Sequence, residues 1–247
     1  MAMHSLSRFH ALRRGMGEHF APRPGIVRSG CIPTFLVGCH DPISSTVDSL
    51  GARRHGPITE ETHSNLAAFQ AGTKLYACSK LIGEALCQLY SAKHGVHGVA
   101  LRYATVYGER QHYRGVNALY IIENYDRIMR GERPQITGDG SEVHDYVHVA
   151  DVARANVMAM ASDVTGEIFN VGSGVATDLK RLADILLDVT GSDLEPEYVS
   201  GSGAVKSTSG STLEFNVEKI ERMIGWKPEV AIEEGIRRLI DWRKAQP

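Results

Sequence analysis

Apolar residues fall along the chain in runs whose spacing switches between helix and strand. From Ser79 to Lys93 the positions Leu81, Ile82, Ala85, Leu86 and Leu89 recur at helical spacing, which predicts an amphipathic helix stopped by Gly95. Val99 to Tyr103 is expected to be a buried strand, with Tyr107-Gly-Glu-Arg110 at its carboxyl end, where open α/β sheets place their ligands. Ala118, Leu119, Ile121, Ile122, Tyr125, Ile128 and Met129 mark a second helix ending at Gly131. Gln135-Ile-Thr137 and Glu142-Val143 flank Gly138-Asp-Gly140 as the arms of a hairpin. Asp151 is expected to N-cap a helix through Met160, and Ile168 to Val171 returns as a strand. Asp178 opens a helix over Leu179, Leu182, Ala183, Leu186 and Val189, closed by Gly191. Short helices over Val217 to Ile224 and Ile232 to Arg243 finish the chain, and the small, polar stretch from Gly201 to Gly210 is expected to be a mobile loop.

Composition narrows this to a soluble α/β protein. A chain of 247 residues with 43% hydrophobic content can bury a sizeable core. A formal charge of -2 provides no basic field to hold nucleic acid, and no apolar run approaches the roughly 20 residues of a membrane helix, so neither is expected as a partner. Cys31, Cys39, Cys78 and Cys87 show no Cys-x-x-Cys spacing. Cys78 and Cys87 lie about 13 Å apart along their helix at about 1.5 Å per residue, too far to bridge, so reduced thiols in a cytoplasmic protein are expected.

The stretch before Ser44 differs in composition: every basic residue before Lys74 is Arg or His. Three readings compete for it: a transit peptide, a basic tail for an acidic partner, and the product of a truncated, rearranged or frame-shifted gene. Pro22, Pro24, Gly15, Gly17 and Gly25 break any long amphipathic helix, which weighs against the first, and the third is preferred.

The most informative chemistry is Tyr76-Ala-Cys-Ser-Lys80, a phenol and an ammonium four residues apart on one helix face. A neighbouring ammonium favours tyrosinate and draws a phenol from about 10 toward the range where phenolate serves as a general base. Such a pair also recurs by chance on solvated helices. Its surroundings decide between these readings. They include Leu81-Ile-Gly-Glu84-Ala, Val99-Ala-Leu-Arg-Tyr103-Ala-Thr-Val-Tyr107-Gly108, Gly138-Asp-Gly140 with His144-Asp-Tyr-Val-His148-Val-Ala-Asp151, and Phe169-Asn-Val-Gly-Ser-Gly174, ending in Ile224-Gly-Trp226-Lys-Pro228 and Glu233-Glu-Gly235. In this order, from about Ser44 onward, they resemble the NAD-dependent epimerase/dehydratase family, the extended short-chain dehydrogenases typified by UDP-glucose 4-epimerase.

The resemblance implies an α/β fold: a partial Rossmann-like doubly wound parallel sheet lacking its first βαβ units, plus a smaller mixed α/β substrate domain. The family's Gly-x-x-Gly-x-x-Gly turn, which brings the cofactor pyrophosphate to a helix N-terminus, has no counterpart in these residues. The expected division is therefore an atypical leader over 1–43 and a residual dinucleotide-binding unit over 44–115, to which 165–175 return. Residues 116–164 and 176–247 would form a sugar-nucleotide-binding domain. The exposed sheet edge makes a homodimer plausible unless the leader covers it.

NAD is the implied cofactor and a nucleotide-sugar, UDP-hexose first, the implied substrate. Tyr76 would take a proton from a sugar hydroxyl as hydride passes to nicotinamide; the ketone turns over and hydride returns to its other face. Lys80 would lower the Tyr76 pKa and hydrogen-bond the nicotinamide ribose, and Tyr76 and Tyr103 would also belong to the cofactor site. Thr46, five residues before Gly51, is the candidate third catalytic residue, with a turn-capping Thr as the alternative. The dehydratases carry Asp-Glu after this Thr, whereas Val47-Asp48 follows here, which favours an epimerase. Counted without a gap from Pro57, the family's Tyr and Lys fall on Gln70 and Lys74, so the pair at Tyr76 and Lys80 implies a six-residue insertion.

Thr105 and His144 are the implied substrate contacts, standing where relatives carry Asn and a diphosphate-binding Arg. His144, His148 and Asp151 could suggest a metal site, but strand alternation followed by an N-cap explains them and no metal is expected. Asn170-Val-Gly-Ser-Gly174 should shape the site rather than cradle pyrophosphate. The competing reading is a non-catalytic remnant that acts as a sugar-nucleotide-binding or interaction module.

Overall fold

The computed structural model describes residues 35–40, 57–62, 71–111, 119–200 and 214–246, with backbone alone for 35–40, 71–73, 76 and 119. In chain order the elements are β1 (Phe35–His40), α1 (Ala71–His94), β2 (Gly98–Tyr103), β3 (Thr105–Tyr107), α2 (Leu119–Met129), β4 (Gln135–Thr137) and β5 (Val143–His148). There follow α3 (Val149–Ala161), β6 (Ile168–Val171), β7 (Ala176–Asp178), α4 (Leu179–Thr190), β8 (Glu197–Val199), α5 (Glu218–Ile224) and α6 (Ile232–Lys244).

β1, β2 and β6 form a parallel sheet in that order, with Leu36 opposite Val99 and Leu101 opposite Phe169. Alternation along β2 divides its neighbours. Val99, Leu101 and Tyr103 join Phe169, Val171, Ala155, Ala159, Ile220 and Trp226 in one core, whereas Arg102 meets Glu84 of α1 on the opposite face. Helices therefore cover both faces of this sheet. β1 lies within the stretch set apart in the sequence as a leader, so the sheet begins before residue 44 and the leader supplies a partner for one side of β2.

The predicted helix around Lys80 starts eight residues earlier than expected, at Ala71. Its buried face is also not the predicted one. An amphipathic helix ordinarily buries its apolar stripe, yet Ile82, Leu86 and Leu89 are exposed, and Ala77, Glu84 and Cys87 face inward. The reason is Arg102, which stands inside an otherwise apolar strand and must be neutralised. Its Nε and Nη2 donate to the two Glu84 carboxylate oxygens at 2.8 and 2.9 Å, and Nη1 donates to the Glu60 carbonyl at 2.9 Å.

The predicted hairpin around Gly138-Asp-Gly140 is corrected. The turn is present, with both glycines at positive φ, but its arms enter different sheets: β4 pairs in parallel with β8, and β5 pairs with β3 and β7. Asn124 blocks the hairpin partner's place beside β4, because its side-chain oxygen accepts from Gln135 N–H at 2.7 Å and its amide donates to Gln135 C=O at 3.1 Å.

Asp151 is not the N-cap of α3 as expected. His148 fills that role, its Nδ1 accepting from Ala150 N–H at 3.2 Å. Asp151 lies buried in the first turn and accepts from the Glu229 and Val230 N–H groups at 3.1 and 3.0 Å, holding the segment that leads into α6. The remaining boundaries agree with expectation: Asp178 caps α4 through Arg181 N–H, and Gly191 closes it in the left-handed region. Gly235 is required by packing, since a Cβ there would overlap the Tyr107 hydroxyl. The predicted loop from Gly201 to Gly210 lies outside the described residues.

Candidate active site

α1 runs back across the parallel sheet between β1 and β2, so its N-terminal turns lie toward the carboxyl ends of those strands. Glu84 and Arg102 fix its height and rotation. At about 100° per residue, Lys80 lies about 40° around the helix from Glu84 and Tyr76 about 80° on the same side, while Lys74 falls on the opposite flank. At about 1.5 Å per residue, Tyr76 stands about 12 Å beyond Glu84 toward the carboxyl edge. Lys80 is half-buried. The Glu84–Arg102 pair is the feature that sequence reading missed; an Arg within Val99-Ala-Leu-Arg-Tyr was the available signal.

Two of the other predicted site residues, Tyr103 and Thr105, stand at the carboxyl end of β2 and directly after it. Tyr103 ends β2, but its hydroxyl already donates to Asn156 Oδ1 at 3.0 Å, tying the strand to α3. Thr105 is buried on β3, in register with Tyr146 of β5. His144 lies two residues before Tyr146, so Thr105, Tyr146 and His144 project from one face of the β3–β5 sheet. His144 Nε2 is 2.5 Å from Glu142 Oε1, and the two side chains are 8% and 6% exposed. Thr46 and Gln70 lie outside the described residues.

The opposite face of β5 carries Asp145, which organises the loop after β6. Its carboxylate accepts from Ser173 N–H at 2.6 Å, Ser173 Oγ at 2.7 Å, Gly174 N–H at 2.9 Å and Phe215 N–H at 3.2 Å. Burial pushes this carboxyl up, opposed by those four hydrogen bonds. Asn170 joins the same scaffold: its N–H donates to Glu60 Oε1 and its side-chain amide to Ile58 C=O, so it acts structurally beneath the site.

Because His148 Nδ1 accepts the cap hydrogen bond, its proton sits on Nε2, which stands 3.2 Å from Glu109 Oε2 without hydrogen-bond alignment. Burial holds His148 below the ordinary imidazole value, with Arg238 acting in the same direction and Glu109 and Asp151 opposing. A depressed value means that the unfolded chain binds the proton first as pH falls. The contribution of His148 to stability is therefore complete above about 6.5 and is lost progressively below it. We expect the urea midpoint to fall between pH 7.5 and 5.5 by more in the wild type than in His148→Asn, which keeps a capping oxygen but does not titrate. Equal falls would remove the assignment.

Among the described residues, no group of three His, Cys, Asp or Glu side chains is placed to hold a metal ion, and no helix is long and apolar enough to cross a membrane.

A parallel sheet wrapped by helices, with α1 presenting Lys80 near its carboxyl edge, defines a Rossmann-like α/β fold. Residues 43–172, over half of the chain, match the model of the NAD dependent epimerase/dehydratase family, and the chain belongs to that family. It is 31% identical over 167 residues to UDP-glucose 4-epimerase of Mycolicibacterium smegmatis, covering 68% of this chain and 52% of that protein. A dTDP-glucose 4,6-dehydratase of Actinoplanes is 27% identical over 172 residues, covering 69% and 51%. Among solved structures, UDP-glucose 4-epimerase of Thermotoga maritima with UDP-glucose superposes with a TM-score of 0.65 at 31% identity, covering 78% of this chain and 59% of that one. The chain thus spans about half the length of the curated relatives it matches.

Proposed function

We propose that the chain is a nucleotide-sugar epimerase by descent, acting on UDP-hexoses with NAD. The observation that carries this reading is the position of α1, which brings half-buried Lys80 toward the carboxyl edge of the sheet, with Tyr76 four residues before it on the same helix. Lys80 and the Asn170–Gly174 loop suit the nicotinamide end of the cofactor, while these 247 residues contain no glycine turn for its pyrophosphate. NAD, when bound, supplies the hydride acceptor. Tyr76 removes the proton of a sugar hydroxyl, Lys80 stabilises the resulting phenolate and orients the cofactor ribose, and Thr46 completes the site. The relatives named as epimerases and the Val47-Asp48 sequence support epimerisation over dehydration. The uncovered apolar residues Ile82, Leu86 and Leu89 on α1 support the homodimer expected from the sequence.

The direct test is interconversion of UDP-glucose and UDP-galactose with saturating NAD. Tyr76→Phe is expected to lower the rate by about 100-fold or more while leaving the fold intact, and Lys80→Ala to lower it as well. An unchanged rate in Tyr76→Phe would remove the assignment, and loss only in Lys74→Ala would favour the other register. The second reading, a non-catalytic sugar-nucleotide-binding module, is favoured by the missing glycine turn. It predicts UDP-glucose binding without turnover.

A further inference from the structure

We propose that Arg102 and Glu84 are positioning residues for Tyr76 and Lys80, holding α1 in the rotation that turns Lys80 toward the sheet; this inference rests on the roles proposed above for Tyr76 and Lys80. Apolar burial does not choose that rotation. At about 100° per residue, Leu75, Ile82, Leu86 and Leu89 lie about 140–180° around the helix from Glu84. All four are exposed, and Glu84 is buried. Within one chain, burying that stripe would turn α1 by nearly half a revolution. Lys80, half-buried and about 40° from Glu84, would then face solvent together with the flank that carries Tyr76.

The buried guanidinium of Arg102 reverses the choice, and its contacts reach beyond α1. Two of its nitrogens meet the two Glu84 oxygens, a planar fork that sets both the height and the rotation of the helix. The third donates to the Glu60 carbonyl. Glu60 Oε1 in turn accepts from Asn170 N–H at 2.8 Å, and the Asn170 side-chain amide donates to Ile58 C=O at 2.9 Å. α1 is thereby referenced to β2 and also to β6, the strand that leads into the Ser173–Gly174 loop.

A buried ion pair adds little net stability over two well-packed apolar side chains, and its better attested effect is to select one packing among several. The packing selected here keeps Lys80, one turn from Tyr76, half-buried, where its charge is screened less than at the surface. Turned outward, the same ammonium would act through bulk water and leave the phenol near its ordinary value of about 10. The ion pair thus acts on proton transfer through the helix that carries Tyr76 and Lys80.

The test removes the ion pair without leaving a lone buried charge, by combining Glu84→Met with Arg102→Met in the 247-residue chain. Rotation is read by iodoacetamide labelling of half-buried Cys78 and buried Cys87, which lie about 120° and 60° from Glu84 on opposite sides. Tyr76 is read by tyrosinate absorbance against pH, as the difference between each protein and its Tyr76→Phe counterpart. The expected result is a urea midpoint close to that of the wild type, with Cys87 labelled about ten-fold faster or more and Cys78 more slowly. Tyr76 should titrate about one unit or more nearer the ordinary phenol value. The slowing of Cys78 is the discriminating sign, because loss of the Glu84 charge by itself speeds Cys87 and a loosened helix speeds both. An unchanged Cys78 rate, faster labelling of both thiols, or an unchanged Tyr76 midpoint overturns the proposal. Should the double variant fail to fold, Arg102→Lys, which keeps the charge but not the fork, is held to the same directions of change. Wild-type Tyr76 titrating at or above about 10 overturns the proton-transfer reading, and this inference with it.

Discussion

Asp145→Ala is expected to destabilise the protein by about 3–5 kcal/mol, a large share of the roughly 5–15 kcal/mol that holds a typical domain together. The carboxylate is 1% exposed and receives the N–H groups of Ser173, Gly174 and Phe215 together with the Ser173 hydroxyl. Alanine leaves the three N–H groups without their acceptor, of which that of Phe215 is buried, at about 1–3 kcal/mol for each group that cannot relax, while the Ser173 hydroxyl keeps the Val175 carbonyl at 3.4 Å. Nor can the loop simply collapse into the gap, because Gly172 already packs its backbone against the carboxylate: a Cβ there would lie 2.6 Å from Asp145 Oδ2. Urea denaturation should show a lowered midpoint with an unchanged slope, and hydrogen exchange at Ser173, Gly174 and Phe215 should accelerate most. A loss below about 1 kcal/mol would mean that the loop is held by something other than this residue.

The same residue shows what could be learned from the sequence and what could not. Strand and helix spacing are local, so β2, β6, α2, α4, α5 and α6 were legible from periodicity, and Asp178 and Gly191 marked the ends of α4. Partnership is not local. Asp145 is bonded to Phe215, 70 positions away, and Asp151 to Val230, 79 positions away, so a carboxylate next to a helix start looked like a cap when its work lay across the fold. The hairpin failed for the same reason, since β4 finds its strand partner in Glu197–Val199. On α1 the spacing gave the helix but not its orientation, because one buried ion pair outweighs an apolar stripe in deciding which face turns inward. Of the candidate site, the choice of Lys80, Tyr103, Thr105 and His144 as candidates followed from motif order. The engagement of Tyr103 with Asn156 and of His144 with Glu142 did not, because neither partner belongs to the motif pattern.

The 247 residues on their own are expected to bind NAD at least roughly three decades more weakly than a site with a complete glycine turn. In that turn, backbone N–H groups at a helix N-terminus donate to the pyrophosphate, and glycine lets the backbone approach. Each charge-assisted hydrogen bond of this kind contributes about 1.5–3 kcal/mol, so losing three removes about 4.5 kcal/mol or more. On the proposed reading Lys80 does not compensate, because it is assigned to the nicotinamide end of the cofactor. If UDP-sugar binding draws on Thr105 and His144 of β3 and β5, as the family resemblance implies, it is expected to survive, so calorimetry against NAD and UDP-glucose separately should find the second much tighter than the first. Tight NAD binding by this chain would require another set of backbone donors for the pyrophosphate, and the epimerase reading would then gain the cofactor site it lacks.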